Sequence, residues 1–395
     1  MTLTSFLEQK HLSMTHEPRA ADHASLYRRS LELTMPAGAL DSLIQPTLKI
    51  LAQRRSSDLS PLRAGVLLFA GDHAVAREHG VSAYPPEVTP QMVVNIVNGG
   101  AAISQLAARR AAPMMVCDVG LASGCEELLS EKIRPRDDLG QQIFFRSNNL
   151  NKAFPHQGYE HGARDITRLA ALSPDAHAHC WNEGVRCVDD LLDLHACDVI
   201  ALGEMGIGNT TPAAALAALL THCPLSESVG RGTGANDDVF ARKKEVVKAA
   251  VERATFEMND HAVQTWKAEG SPLWSHALLA QLGGAEFSAL AGAAWRAAQR
   301  GVIVLLDGII VTAAVAPFAH HNRIFAQWLM ASHLSAEPAH SVLLSDLLLK
   351  PLLNLQMRLG EGSGAAFALG LLQDADALLR NMATFSSAGV SSGEN

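Results

Sequence analysis

Short apolar runs alternate with longer stretches of helical period along this chain. Residues 66–69, 113–118, 198–202 and 301–306 have the length of buried strands, and 325–330 reads as a fifth. Between them 91–97, 101–109, 173–195, 213–220 and 289–298 read as helices, and Thr89 with Pro90 supplies a start signal for the first. Residues 26–56 are helical in pattern, broken at Met35-Pro-Ala-Gly38. Strands separated by helices predict an α/β fold with a mostly parallel sheet covered on both faces. Residues 122–160 are polar and irregular and are expected to form a surface excursion.

The punctuation carries the chemistry. Asp72, Asp118, Glu204 and Asp307 each stand at or just after the end of an apolar run, beside glycine. In a parallel sheet those ends gather along one edge, where open α/β folds bind ligands. Glycine-rich loops at 203–208, 230–234 and 360–364 are expected to wall a shared pocket. In the last of them, Gly360-Glu361-Gly362-Ser363-Gly364, a carboxylate sits mid-turn between two apolar runs, 341–357 and 365–379. Glu361 is a candidate general base or ligand clamp, or alternatively a capping residue in an ordinary loop. Helix starts after 208, 234 and 362 offer backbone donors for a phosphate, with Thr210, Thr211 and Ser363 as hydroxyl donors.

Composition removes several classes. The net charge is −8 and the basic runs are short, so no nucleic-acid footprint is present. Six scattered cysteines form no CxxC pair, which argues against a disulfide scaffold or a metal site. The first twenty residues lack the apolar core of a signal peptide and no run reads as a membrane span; a cytoplasmic protein is expected. GxGxxG after the first strand and GxxxxGK[ST] are missing, and the one GxSxG, Gly389-Val-Ser-Ser-Gly393, follows no apolar strand, so the usual hydrolase nucleophile elbow is missing. A phosphorylated ligand held by amides and hydroxyls, with carboxylates facing an organic base, fits what remains.

Phe69-Ala-Gly-Asp-His73, Tyr84-Pro-Pro-Glu-Val-Thr89, Gly203-Glu-Met-Gly-Ile-Gly-Asn-Thr-Thr-Pro-Ala-Ala214, His333-Leu-Ser-Ala-Glu337 and Arg358-Leu-Gly-Glu-Gly-Ser-Gly-Ala365 occur in this order. In these pieces the chain resembles the nicotinate-nucleotide–dimethylbenzimidazole phosphoribosyltransferases of cobalamin lower-ligand synthesis. The resemblance implies a Rossmann-like domain over 61–340 and a smaller helical part built from the chain ends, 1–60 and 341–395. It implies transfer of phosphoribose from nicotinate mononucleotide to 5,6-dimethylbenzimidazole, giving α-ribazole 5′-phosphate and nicotinate. A homodimer is implied, with 289–298 or 341–357 as possible contact surfaces, and neither a metal nor a redox cofactor.

Residue by residue, the resemblance makes Glu361 the general base and Glu204 a second carboxylate near the ribose. Lys243 falls near the nucleotide, and Tyr84 and Met92 line the aromatic base. Gly203, Gly206, Asn209, Thr210 and Ser335 fall in nucleotide-contacting stretches. Asp72, Thr211, Asp307, Gly362 and Ser363 join this set of substrate-binding expectations from their strand-end and loop positions. The stretches 35–39, 122–160 and Gly162-Ala163 depart from the family pattern. Two rivals stay open: a related transferase using adenine, a phenol or another benzimidazole, and a non-catalytic nucleotide- or base-binding homologue.

Overall fold

In the computed structural model, residues 14, 16–19, 24–54, 60–122 and 142–391 are described. Strands β1 (Ala64–Gly71), β2 (Met114–Gly120) and β4 (Val199–Met205) are buried along their whole length, as sequences apolar on both faces require. With β3 (Ile143–Ser147), β5 (Ile303–Leu306) and β6 (Leu329–Ala331) they form a six-stranded sheet ordered β3-β2-β1-β4-β5-β6, every pairing parallel. This is the doubly wound order, and its topological switch lies between β1 and β4. Ligands are expected outside the carboxyl ends there, where Asp72, Glu204 and Asp307 stand.

Four readings of the sequence change. Ile143–Ser147 is an edge strand, not part of a surface excursion, while residues 123–141 lie outside the described residues. Its outward face is only half-buried, so its pattern lacks the apolar density of the central strands. The fifth predicted strand is really a helical turn, Arg323–Ala326, followed by β6. The apolar run after 341 splits into a helix, Pro338–Asp346, and strand β8, Leu353–Met357, which pairs in parallel with β7, His333–Ser335. Finally, residues 289–298 belong to the helix Ala285–Gln299, which is buried against Pro174–Leu194 and the sheet; it cannot be a subunit contact.

The chain ends meet in a second apolar cluster. Leu33, Ile44, Leu48 and Leu51 pack on Ala375 and Leu379 of the helix Ser363–Asn381. Arg29 donates to the carbonyls of Leu379, Arg380 and Met382 at 2.6, 3.1 and 2.9 Å, satisfying acceptors at that helix's C-terminus. The N-terminus of the same helix points the other way, onto the sheet edge.

Candidate active site

A cavity of about 640 Å³ opens at the carboxyl ends of β4 and β5. Loop 204–210, Asp307–Ile310, the β7 segment and residues from 357–364 line it. Half-exposed Tyr84 and Phe367, with Met92, also line it.

The 360–364 turn owes its shape to the backbone. Gly360, Glu361 and Gly362 are consecutively left-handed, with φ of 80°, 63° and 82°. Glycine adopts this freely; for Glu361 it costs roughly 1–2 kcal/mol. Two contacts hold the turn in place. A side chain at Gly203, near the end of β4, would put a Cβ 2.8 Å from Glu361 O, Gly362 N and Gly362 Cα, so strand and turn touch backbone to backbone. Buried Asp307, just beyond β5, accepts from Gly362 N at 3.2 Å and Ala365 N at 2.9 Å, occupying the start of the 363–381 helix.

Glu361 is thereby set into the cavity almost completely buried, and no described residue donates to its carboxylate. Burial, with the nearby Asp307 charge, pushes its pKa up to about 7. Glu204 faces it from β4. Its Oε2 accepts from Asn209 Nδ2, and its Oε1 lies 2.8 Å from where a Gly360 Cβ would stand. Burial, then the charges of Asp307, Glu286 and Glu361, push Glu204 up to about 8 against the opposing Asn209 bond. Two carboxyl groups with raised pKa in one cavity are able to hold and accept protons near neutral pH.

A second group of residues lies toward the 230–234 loop. Lys243 is fully buried in the helix Asp237–Met258 and donates from Nζ to Thr210 Oγ1 at 2.8 Å and Gly230 O at 2.9 Å. Burial lowers its pKa to about 8, opposed by the Glu337 charge. It orients Thr210, which lines the cavity, rather than lining it itself.

Ten of the predicted residues do line one cavity: Glu204, Glu361, Tyr84, Met92, Gly206 and Asn209, together with Thr210, Asp307, Ser335 and Ser363. Five do not. Lys243 and Gly203 stand behind it, and Gly362 faces Gly203 and Asp307. Thr211 Oγ1 is enclosed in the helix Thr210–Thr221. Asp72 does not line the cavity: Oδ2 accepts from Ala122 N at 3.0 Å, and Oδ1 is buried without a partner. Asp118 is likewise structural, held by Asn149, Ser147 and the Gly120 and Leu121 amides. Ala163, in the Gly162-Ala163 pair that departs from the family pattern, is buried, bridges His73 and does not line the cavity.

The three helix starts differ as anion sites. Asp307 already holds the 363 start, and Asn236, with Asp237 and Asp238 in the first turn, closes the 237 start to negative charge. The helix Thr210–Thr221 carries no side-chain cap and no acid in its first turn, and Lys243 backs it. Sequence reasoning missed His333, Arg358 and Glu337, which also line the cavity. Position was the available signal for His333 and Glu337, since both follow β6 at the same sheet edge.

A doubly wound sheet with protonatable carboxyls at its switch edge and an uncapped helix start backed by lysine has the parts of a group-transfer site for an anionic ligand. Comparison with known proteins gives that class its family. The family model described as "Phosphoribosyltransferase" matches residues 16–390. The nicotinate-nucleotide–dimethylbenzimidazole phosphoribosyltransferase of Bradyrhizobium sp. (strain ORS 278) is 40% identical over 377 residues, covering 95% of this chain and 96% of the relative. That of Mycobacterium avium (strain 104) is 40% identical over 376 residues, with 95% and 96% covered. Among solved structures, CobT from Thermus thermophilus superposes with a TM-score of 0.74 at 33% identity, covering 95% of this chain and all of that one. The chain belongs to the nicotinate-nucleotide–dimethylbenzimidazole phosphoribosyltransferase family, and is an enzyme of the phosphoribosyltransferase class. Among the described residues, no helix is long and apolar enough to cross a membrane.

Proposed function

We propose that this enzyme transfers phosphoribose from nicotinate mononucleotide to 5,6-dimethylbenzimidazole, releasing nicotinate and forming α-ribazole 5′-phosphate. The observation that carries this reading is Glu361. It is a buried carboxyl with no protein donor among the described residues, its pKa held near 7, aimed into the cavity from a turn that Asp307 and Gly203 fix.

The chemistry follows. The nicotinate ring nitrogen is cationic in the nucleotide and leaves as a neutral ring, while the anomeric carbon gains oxocarbenium character. Glu204 and Glu361 flank the space for that carbon and stabilise its charge. The attacking benzimidazole bonds through one nitrogen and sheds the proton on its other nitrogen to Glu361. Attack opposite the leaving ring inverts the β-glycosidic bond to α, so the two flat rings need slots on opposite sides of the ribose. The apolar rim of Tyr84, Val88 and Met92 suits the benzimidazole. The phosphate goes to the Thr210–Thr221 helix start, with Thr210 held by Lys243.

Two results test this assignment of parts. Glu204, ionising at about 8, adds a later rise, but Glu361 must itself be ionised to act, so kcat/KM should first rise with pH through about 7. The same limb should be missing from the residual activity of Glu361→Gln; a limb that persists there belongs to another group. Nicotinate riboside, which lacks the phosphate, should react at least about 10²-fold less efficiently than the mononucleotide, since charge-assisted bonds at the helix start are lost. Equal kcat/KM for the two donors would remove phosphate recognition from the mechanism. We further propose a homodimer, which sedimentation at micromolar concentration tests.

A further inference from the structure

Glu337 precedes the helix Pro338–Asp346 in the N-cap position, yet its side chain makes no cap bond there. It reaches instead across to the 230–234 loop, where Oε1 accepts from Gly232 N at 2.7 Å. The carboxylate lies over Gly230, whose Cβ, if present, would come 2.2 Å from Oε2. Oε2 is buried and has no partner in the protein, although Glu337 lines the cavity. Leaving a buried acceptor unsatisfied costs about 1–3 kcal/mol, so a ligand donor at this point is favoured.

A carboxylate accepts hydrogen bonds and gives none. Nicotinate mononucleotide carries few donors: at neutral pH its carboxylate and pyridinium offer none and its phosphate is anionic. Only the 2′- and 3′-hydroxyls of the ribose remain. Glu337 also stands on the 230–234 loop beside Thr210 and Lys243, the start assigned to the phosphate, and shares the cavity with Glu204 and Glu361, so the ribose that joins the phosphate to the anomeric carbon passes within reach of it. We infer that Glu337 Oε2 accepts a hydrogen bond from a ribose hydroxyl of the nucleotide and sets the enzyme's preference for ribose over deoxyribose donors. This rests on the proposed nucleotide donor and adds to it a specificity-determining residue.

The test compares nicotinate mononucleotide with its 2′-deoxy and 3′-deoxy analogues, using wild-type enzyme and Glu337→Gln. In the variant the amide oxygen retains the Gly232 bond, while an NH₂ group replaces the free acceptor. Wild type should prefer the ribonucleotide over one of the two analogues, and that preference should shrink by about 10-fold or more in Glu337→Gln, matching the loss of a hydrogen bond to a charged group. Intrinsic differences in glycosidic reactivity cancel in this ratio of ratios. If Glu337 only braces the loop, the variant will slow all three donors equally, and that result overturns the inference. If the variant is poorly folded, wild type still decides by binding: similar Kd for all three donors by calorimetry also overturns it. Failure of nicotinate release from the ribonucleotide with every base would instead overturn the proposed function.

Discussion

Glu361→Gln should lower turnover with 5,6-dimethylbenzimidazole by about 10²- to 10⁴-fold, the usual contribution of a general base, while leaving nucleotide affinity nearly unchanged. Glutamine retains the size and left-handed backbone position of Glu361, so the turn that Asp307 and Gly203 hold should survive. What it loses is the proton acceptor. The loss therefore falls on kcat rather than on binding. An N-methylated benzimidazole has no proton to shed, so the same substitution should cost far less with that acceptor, provided it binds and reacts. Steady-state kinetics with both acceptors, alongside calorimetry for the nucleotide, measures each arm. A near-wild-type kcat with the N–H base would reduce the 360–364 turn to a packing element.

The second large effect is expected from a residue that never touches substrate. Gly203→Ala drives a methyl group to within 2.8 Å of three backbone atoms of Glu361 and Gly362. Backbone cannot rotate out of the way as a flexible side chain can. Either β4 or the turn must move, at a cost of about 1–3 kcal/mol in stability. Displacing Glu361 by even ~1 Å misaligns it with the attacking ring and should reduce turnover by about 10²-fold. Thermal unfolding and kcat, measured on one preparation, check the two effects together. Unchanged values for both would mean that the strand and the turn are not locked to one another.

Gly203 also shows where sequence reading reaches its limit. Glycine beside a strand-end carboxylate marked the loop, because only glycine tolerates such close approach. What approaches was not legible: in Gly203 it is the 360–362 backbone, not a nucleotide. Asp307 followed the same course. Its strand-end position was visible, but the preference of a carboxylate for a helix N-terminus 55 residues later in the chain is a tertiary fact. The central strands were readable from their unbroken apolar runs, whereas β3 was not, since only its first residue is fully buried. Glu337 was hidden by its neighbour, because a glutamate before proline reads as an ordinary helix cap. Glu204 and Glu361 stood out because glycines surround both, and both line one cavity.

Phosphoribosyl transfer at this carboxylate-lined edge can be observed directly. Purified enzyme is given nicotinate mononucleotide with 5,6-dimethylbenzimidazole, and separately without it, and products are identified by mass and by the anomeric proton resonance. Nicotinate release should depend on the acceptor, and one new nucleotide of α configuration should form. Nicotinate mononucleotide that binds but releases no nicotinate with any base offered, or a product formed exclusively with adenine, would rule out the proposed reaction.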